Sequence, residues 1–281
     1  GHHNNKNRFL YLGLTRSRCG GVCMVRPGKR KGQHQQQQNQ QQSRMWGSSS
    51  QSGGGGSSSS STRKKSKNSS KSIQEAAVEK LFAEILADPE DTSVATMEGI
   101  SKFSERIGID PMEDVRILVL IWKMTNGDTE KPAQISKTEW IRGCQKLQVD
   151  SIAKFQNLLP SLEMGFLDQT EFKDFYKFCF QFNRQGTHRT LDKDLVVALL
   201  RLVVTNGRIP SDRLETFCTF LETSSQNYTR ITLDQWTSFL DFSHECEDLS
   251  TYDEANSAWP VLIDEYVEYM EKQQTTSVQP K

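Results

Sequence analysis

No aspartate or glutamate occurs before Glu75, although the 281-residue chain holds 35 of them. Residues 1–72 carry 14 of the 35 lysines and arginines, so 35 − 14 = 21 bases face 35 acids from residue 73 onward. A formally neutral chain is therefore a +14 segment joined to a −14 segment. The basic segment adds a glutamine-rich run from Gln35 to Gln42, and then Ser48 to Ser61 with four consecutive glycines. Such a composition cannot bury enough apolar surface to offset its ordering entropy. Residues 1–72 are expected to be a disordered tail, leaving 209 residues to build a core as one domain or two closely packed halves.

From Ile73 onward apolar residues recur at helical spacing, and two-residue alternation never persists, which predicts an all-α body of about nine helices. Ile73, Ala77, Val78, Leu81, Phe82 and Ile85 line a first helix that stops before Asp88 and Pro89. Thr92 or Ser93 is expected to cap a second helix carrying Val94, Met97, Ile100 and Phe103. Val115 to Met124 is apolar on nearly all sides, as in a central buried helix, and Ser136 with Glu139 spells a capping box. Further helices are expected over 151–166, 169–182, 192–204, 211–222, 233–244 and 260–272, with 273–281 a flexible end. The joints include Thr205-Asn206-Gly207 and Asn183 to Gly186.

Several chemistries find no support. Helix–loop–helix units of this length suggest EF-hands, but Gly165 to Gln169 and Gly186 to His188 place too few oxygens at the loop's ligand offsets, so an EF-hand-like shape without calcium is expected. Cys19 and Cys23, with His2, His3 and His34 nearby, lack a second ligand pair at zinc-finger spacing, and the body's four cysteines sit in apolar helical patterns as core residues. Neither metal nor cofactor is expected. No apolar run reaches membrane-spanning length, and Phe9 to Leu14 is too brief for a signal peptide. Asn5 stands where a myristoylation motif at Gly1 needs Ser or Thr. Neither a nucleophile elbow, a P-loop, a His-Glu-x-x-His nor a dinucleotide-binding glycine run is present. His188 and His244 are the body's only histidines, so a binding module is expected rather than an enzyme.

The most informative segment for such a module is Tyr252 to Met270. Pro260 suits a first helical turn. Val261, Leu262, Ile263, Tyr266, Val267 and Met270 form an apolar face, leaving Asp264, Glu265 and Glu268 outward for a basic partner. This segment joins a wider set: Phe103 to Pro111 with Trp122-Lys123, Phe172-Lys173-Asp174-Phe175-Tyr176 to Phe182, Asn206-Gly207-Arg208, Asp234-x-Trp236, Leu240-Asp241-Phe242, Tyr252-Asp253-Glu254 and Ala258-Trp259-Pro260-Val261-Leu262-Ile263-Asp264. Through these motifs residues 73–272 resemble the potentiating-neddylation domain of the defective-in-cullin-neddylation family.

The resemblance implies two EF-hand-like helical halves and a non-catalytic scaffold, a co-ligase that helps a conjugating enzyme pass a ubiquitin-like modifier to a cullin lysine. It implies that Asp234, Ala258 and Asp264 form the family's patch for a cullin's C-terminal winged-helix domain. It also implies that Met97, Ile100, Ile117, Leu120, Phe182 and Leu199 line a pocket for the acetylated N-terminal methionine of the conjugating enzyme. Acetylation removes a charge that would be costly to bury in an apolar pocket. A monomer is expected, without the N-terminal ubiquitin-associated domain that some members carry. In the tail, Arg26, Lys29, Arg30 and Lys31, and then Arg63, Lys64, Lys65 and Lys67, form basic clusters, of which residues 63–67 are the candidate nuclear import signal. The protein is thus expected in nucleus and cytoplasm. A rival reading makes it a nuclear nucleic-acid-associated adaptor binding through the tail; apart from Trp46, base-stacking aromatics near the basic runs are almost absent, so nucleic acid is not the expected partner.

Overall fold

The computed structural model describes residues 73–205, 207–223, 228–246, 248–249, 252–253 and 258–277. The expectations for the tail, including its cysteines, histidines and basic clusters, lie outside the described residues. Among these residues are ten α-helices and four three-residue strands. The first half runs α1 (Glu75–Leu81), β1 (Val94–Thr96), α2 (Met97–Ile107), α3 (Arg116–Thr125), β2 (Gln134–Ser136) and α4 (Lys137–Leu147). The second runs α5 (Ile152–Leu158), α6 (Gln169–Phe182), β3 (Thr190–Asp192), α7 (Lys193–Val203), α8 (Ser211–Thr223), β4 (Arg230–Thr232), α9 (Leu233–Glu245) and α10 (Val261–Ser277). β1 pairs antiparallel with β2 and β3 with β4, so each half ties two helix–strand–helix units through a two-stranded ribbon.

The strands correct the expected second helix. Ser93 turns its N–H and hydroxyl to Asp91 Oδ1 at 3.0 and 2.5 Å instead of capping a helix. Val94, Ala95 and Thr96 then pair with Ser136, Ile135 and Gln134, and α2 starts only at Met97. One residue per strand, Ala95 and Ile135, is buried, too short a run to show alternation in sequence. The expected helix over 151–166 also ends early, at Leu158, because Pro160 lacks a donor to continue it; tight 3₁₀ turns at Leu159–Leu162 and Met164–Phe166 follow.

Elsewhere the local signals act as read. Ser136 caps α4: its Oγ accepts from Glu139 N–H at 3.2 Å, while Glu139 Oε2 accepts from Ser136 N–H at 2.7 Å. α3 is buried from Ile117 to Trp122 and again at Met124, which makes it the central helix of the first half. α1 ends in a widened turn at Phe82–Leu86, and α2 lies close against it through Gly99, where a Cβ would come 2.0 Å from the Leu86 carbonyl oxygen. Trp140 of α4 stacks on Phe155 of α5 with Phe103 edge-on to both, and Phe217 stacks on Phe239 with Tyr266 edge-on to both. Truncating one such ring to Ala costs about 3–5 kcal/mol. α6 contributes seven buried residues to the core, and the Trp122 indole donates from α3 to Asp174 Oδ2 at 3.1 Å, tying the halves together.

Candidate functional site

Two surfaces concentrate the sequence-derived site residues. The first comprises the starts of α9 and α10, each with an aspartate in its first turn. Thr232 and Gln235 cap α9 reciprocally, with Gln235 N–H donating to Thr232 Oγ1 at 3.2 Å and Thr232 N–H to Gln235 Oε1 at 2.9 Å. That leaves Asp234, in the same first turn, exposed and outside the cap. α10 begins where the Pro260 carbonyl accepts from Ile263 N–H at 2.8 Å, and Asp264 falls in its first turn. Anions at helix N-termini are favoured by the backbone dipoles, so both carboxylates sit where negative charge costs least.

α9 and α10 pack through aromatics. The Tyr266 ring stands at right angles to those of Phe239 and Phe242, and Trp259 and Tyr252 meet Phe242 edge-on at 5.9 and 5.7 Å. Leu262, Ile263, Tyr266 and Val267 are buried as expected. Val261 is not: rotated away from that stripe, it is 65% exposed. Ala258 is exposed beside it, Glu268 is exposed, and Asp264 and Glu265 are half-buried rather than fully outward. The Tyr252 hydroxyl donates to Asp264 Oδ1. Tyr228 lies against Glu265 and Asp264: burial first, then its hydrogen bond to Glu265, pushes the phenol up to about 12. Neither tyrosine's contact was legible from the helical pattern, since both lie in loops.

The second surface is a cavity of about 180 Å³ between α2, α3, the end of α6 and α7. Of the six residues expected there, Met97, Ile100, Ile117, Phe182 and Leu199 line it. Leu120 does not. At 100° per residue it points some way round α3 from Ile117 and Ile121, and it is buried in the core, while Leu118 and Ile121 take the wall. Leu195, Ala198 and Leu202 complete the α7 side, a strip that spacing around Leu199 could have supplied. Pro111, Met112 and Ala133 come from loops and carried no periodic signal. Ala133 takes a left-handed φ of 59°, rare without glycine, and is held there by its N–H donating to the Phe182 carbonyl at 2.7 Å. The cavity is apolar apart from Ser101, Asn183 and Gln185, and so suits an uncharged chain end.

Neither surface assembles reacting groups. His188 is exposed, and His244 Nε2 lies 2.9 Å from the Arg208 carbonyl. The thiols of Cys144, Cys179 and Cys218 are buried, and burial pushes Cys218 up to about 12. Among the described residues no His, Cys, Asp or Glu group converges to hold a metal, and no helix is long and apolar enough to cross a membrane. The geometry offers an acidic face for pairing with lysine or arginine and an apolar cleft for a small side chain.

A family model described as Cullin binding matches residues 154–269, a span that contains Asp234, Ala258 and Asp264. The chain is 38% identical to human DCN1-like protein 5 over 180 residues, 64% of this chain and 72% of that relative. It is 39% identical to human DCN1-like protein 4 over 178 residues, 63% of this chain and 58% of that relative. Against zebrafish DCN1-like protein 4 it is 40% identical over 173 residues, 61% and 58% of the two chains.

Proposed function

The chain belongs to the DCN1-like, or defective-in-cullin-neddylation, family, and from that premise we propose that it is a monomeric, non-catalytic scaffold co-ligase for cullin neddylation. In this reading the starts of α9 and α10 dock a basic surface on the cullin's winged-helix domain. Asp234 and Asp264 supply the charge, and Ala258, exposed and small, lets a partner side chain approach closely. Charge complementarity of this kind governs orientation and encounter rate more than raw affinity. The observation that carries the reading is Asp264 in the first turn of α10, held by Tyr252 inside the span that matches the Cullin binding family.

The apolar cavity takes the acetylated N-terminal methionine of the conjugating enzyme, with Met97, Ile100, Ile117, Phe182 and Leu199 around it. Holding both partners raises the effective concentration of the charged enzyme at the cullin lysine, so the scaffold needs no catalytic group of its own. The test is a reconstituted cullin modification assay with the full chain, its absence, and Asp264→Lys. Faster modification with the full chain, lost in Asp264→Lys, supports the reading; equal rates with and without the chain overturn it.

A further inference from the structure

We propose that Tyr252 is a positioning residue for the acidic docking face, holding the Asp264 carboxylate in the orientation a basic partner meets. The inference rests on the docking reading above and assigns a role to a side chain that acts through the carboxylate rather than on the partner.

Two observations carry it. The Tyr252 hydroxyl donates to Asp264 Oδ1, and its ring stands edge-on to Phe242 at 5.7 Å and 83°, so the donor is itself anchored in the α9–α10 packing. A free surface carboxylate must give up rotamer freedom when it pairs, whereas one already held by the hydroxyl of a ring packed on Phe242 has lost that freedom on folding. Glu268, one turn further along α10, bonds Lys272 at 3.0 Å across an exposed i,i+4 pair, and among the described residues no tyrosine anchors it.

The test measures binding of a cullin C-terminal fragment to the full chain by calorimetry, with a thermal melt of each variant. Tyr252→Phe keeps the ring and is expected to weaken binding roughly three- to tenfold with a Tm change under about 2 °C. In an Asp264→Ala background the same change is expected to have no further effect, because its target is gone. Equal losses in both backgrounds, or no loss in the single variant while Asp264→Ala still weakens binding, overturn the positioning role. Unchanged affinity in Asp264→Ala overturns the docking reading, and the inference falls with it.

Discussion

Tyr176 and Trp236 each donate a side-chain hydrogen bond to the other's main-chain carbonyl, the Tyr176 hydroxyl at 3.0 Å and the Trp236 indole at 2.9 Å. Their rings stack 4.2 Å apart at 12°, clamping α6 against α9, the helix that presents Asp234. Phenylalanine at 176 keeps the stack and removes one bond. Tyr176→Phe is therefore expected to cost about 1–2 kcal/mol, a Tm loss of roughly 2–6 °C for a body of this size. Trp236→Ala, which loses bond, stack and volume, is expected to cost about 3–5 kcal/mol. Thermal unfolding followed by circular dichroism checks both, and comparable losses in the two variants would contradict the clamp.

Glu139 does more than close a capping box. Besides taking the Ser136 N–H, it accepts from Glu130 N–H at 2.7 Å, and it is only 8% exposed. One carboxylate thus satisfies a donor in the loop before β2 and one at its end, and fixes the loop that leads to the cavity wall at Ala133. Glu139→Ala is expected to destabilise by about 2–3 kcal/mol, since it orphans two amides, whereas Glu139→Gln, which still accepts, loses less. Hydrogen exchange at the Glu130 and Ser136 amides reads the effect residue by residue; protection unchanged in Glu139→Ala would refute it.

Alkaline stability follows from buried acids that stay protonated. Burial raises Cys218 from 9.0 to about 12 despite the opposing charge of Arg201, and burial with the Glu265 bond raises Tyr228 from 10.0 to about 12. The folded state keeps protons that the unfolded chain releases. Their contribution is therefore complete below about pH 9 and falls as pH rises through 12. Urea midpoints should decline across that window, and Cys218→Ala should flatten the decline by about one proton's worth of slope, whatever its effect at neutral pH. A slope identical to that of the parent would exclude Cys218 as a contributor.

What sequence revealed here depended on how long each pattern ran. α3, α6 and α7 are long enough for helical spacing to name their buried faces, and Ser136 with Glu139 marked a helix start by chemistry alone. β1 to β4 stayed hidden because three residues cannot display a two-residue period. At the acidic face, resemblance picked out Asp234, Ala258 and Asp264, yet Tyr252 reaches Asp264 from a loop, where position is set by tertiary packing. Leu120 was misplaced for a related reason. Adjacent apolar residues on an all-buried helix cannot be divided between cavity and core without knowing which neighbour each one meets.

The basic tail carries an independent proposal. With Arg63, Lys64, Lys65 and Lys67 clustered just before the acidic body, the protein is proposed to enter the nucleus as well as to work in the cytoplasm. Deleting residues 63–67 is expected to shift a fluorescently tagged chain toward the cytoplasm while leaving cullin modification in vitro unchanged. A nuclear fraction that survives the deletion argues against the signal. Nucleic-acid binding with a steep salt dependence, abolished by the same deletion, would instead favour the tail as an adaptor.

The cavity makes the sharpest distinction between an ordinary packing defect and a binding site. The cleft of about 180 Å³ lined by Ile100, Ile117, Phe182 and Leu199 is partly open to solvent, so filling it from within should block ligand binding while changing stability little. Leu199→Phe, which adds volume from the α7 wall, is expected to abolish peptide binding while changing Tm by only a few degrees. A peptide beginning with acetylated methionine is expected to bind the parent at least about tenfold more tightly than the same peptide with a free amine, because burying an ammonium here has no carboxylate to offset it. Titration of both peptides against parent and Leu199→Phe decides the matter. Equal affinities for the two termini would remove the acetyl-methionine reading, and undiminished binding to Leu199→Phe would place the peptide elsewhere on the surface.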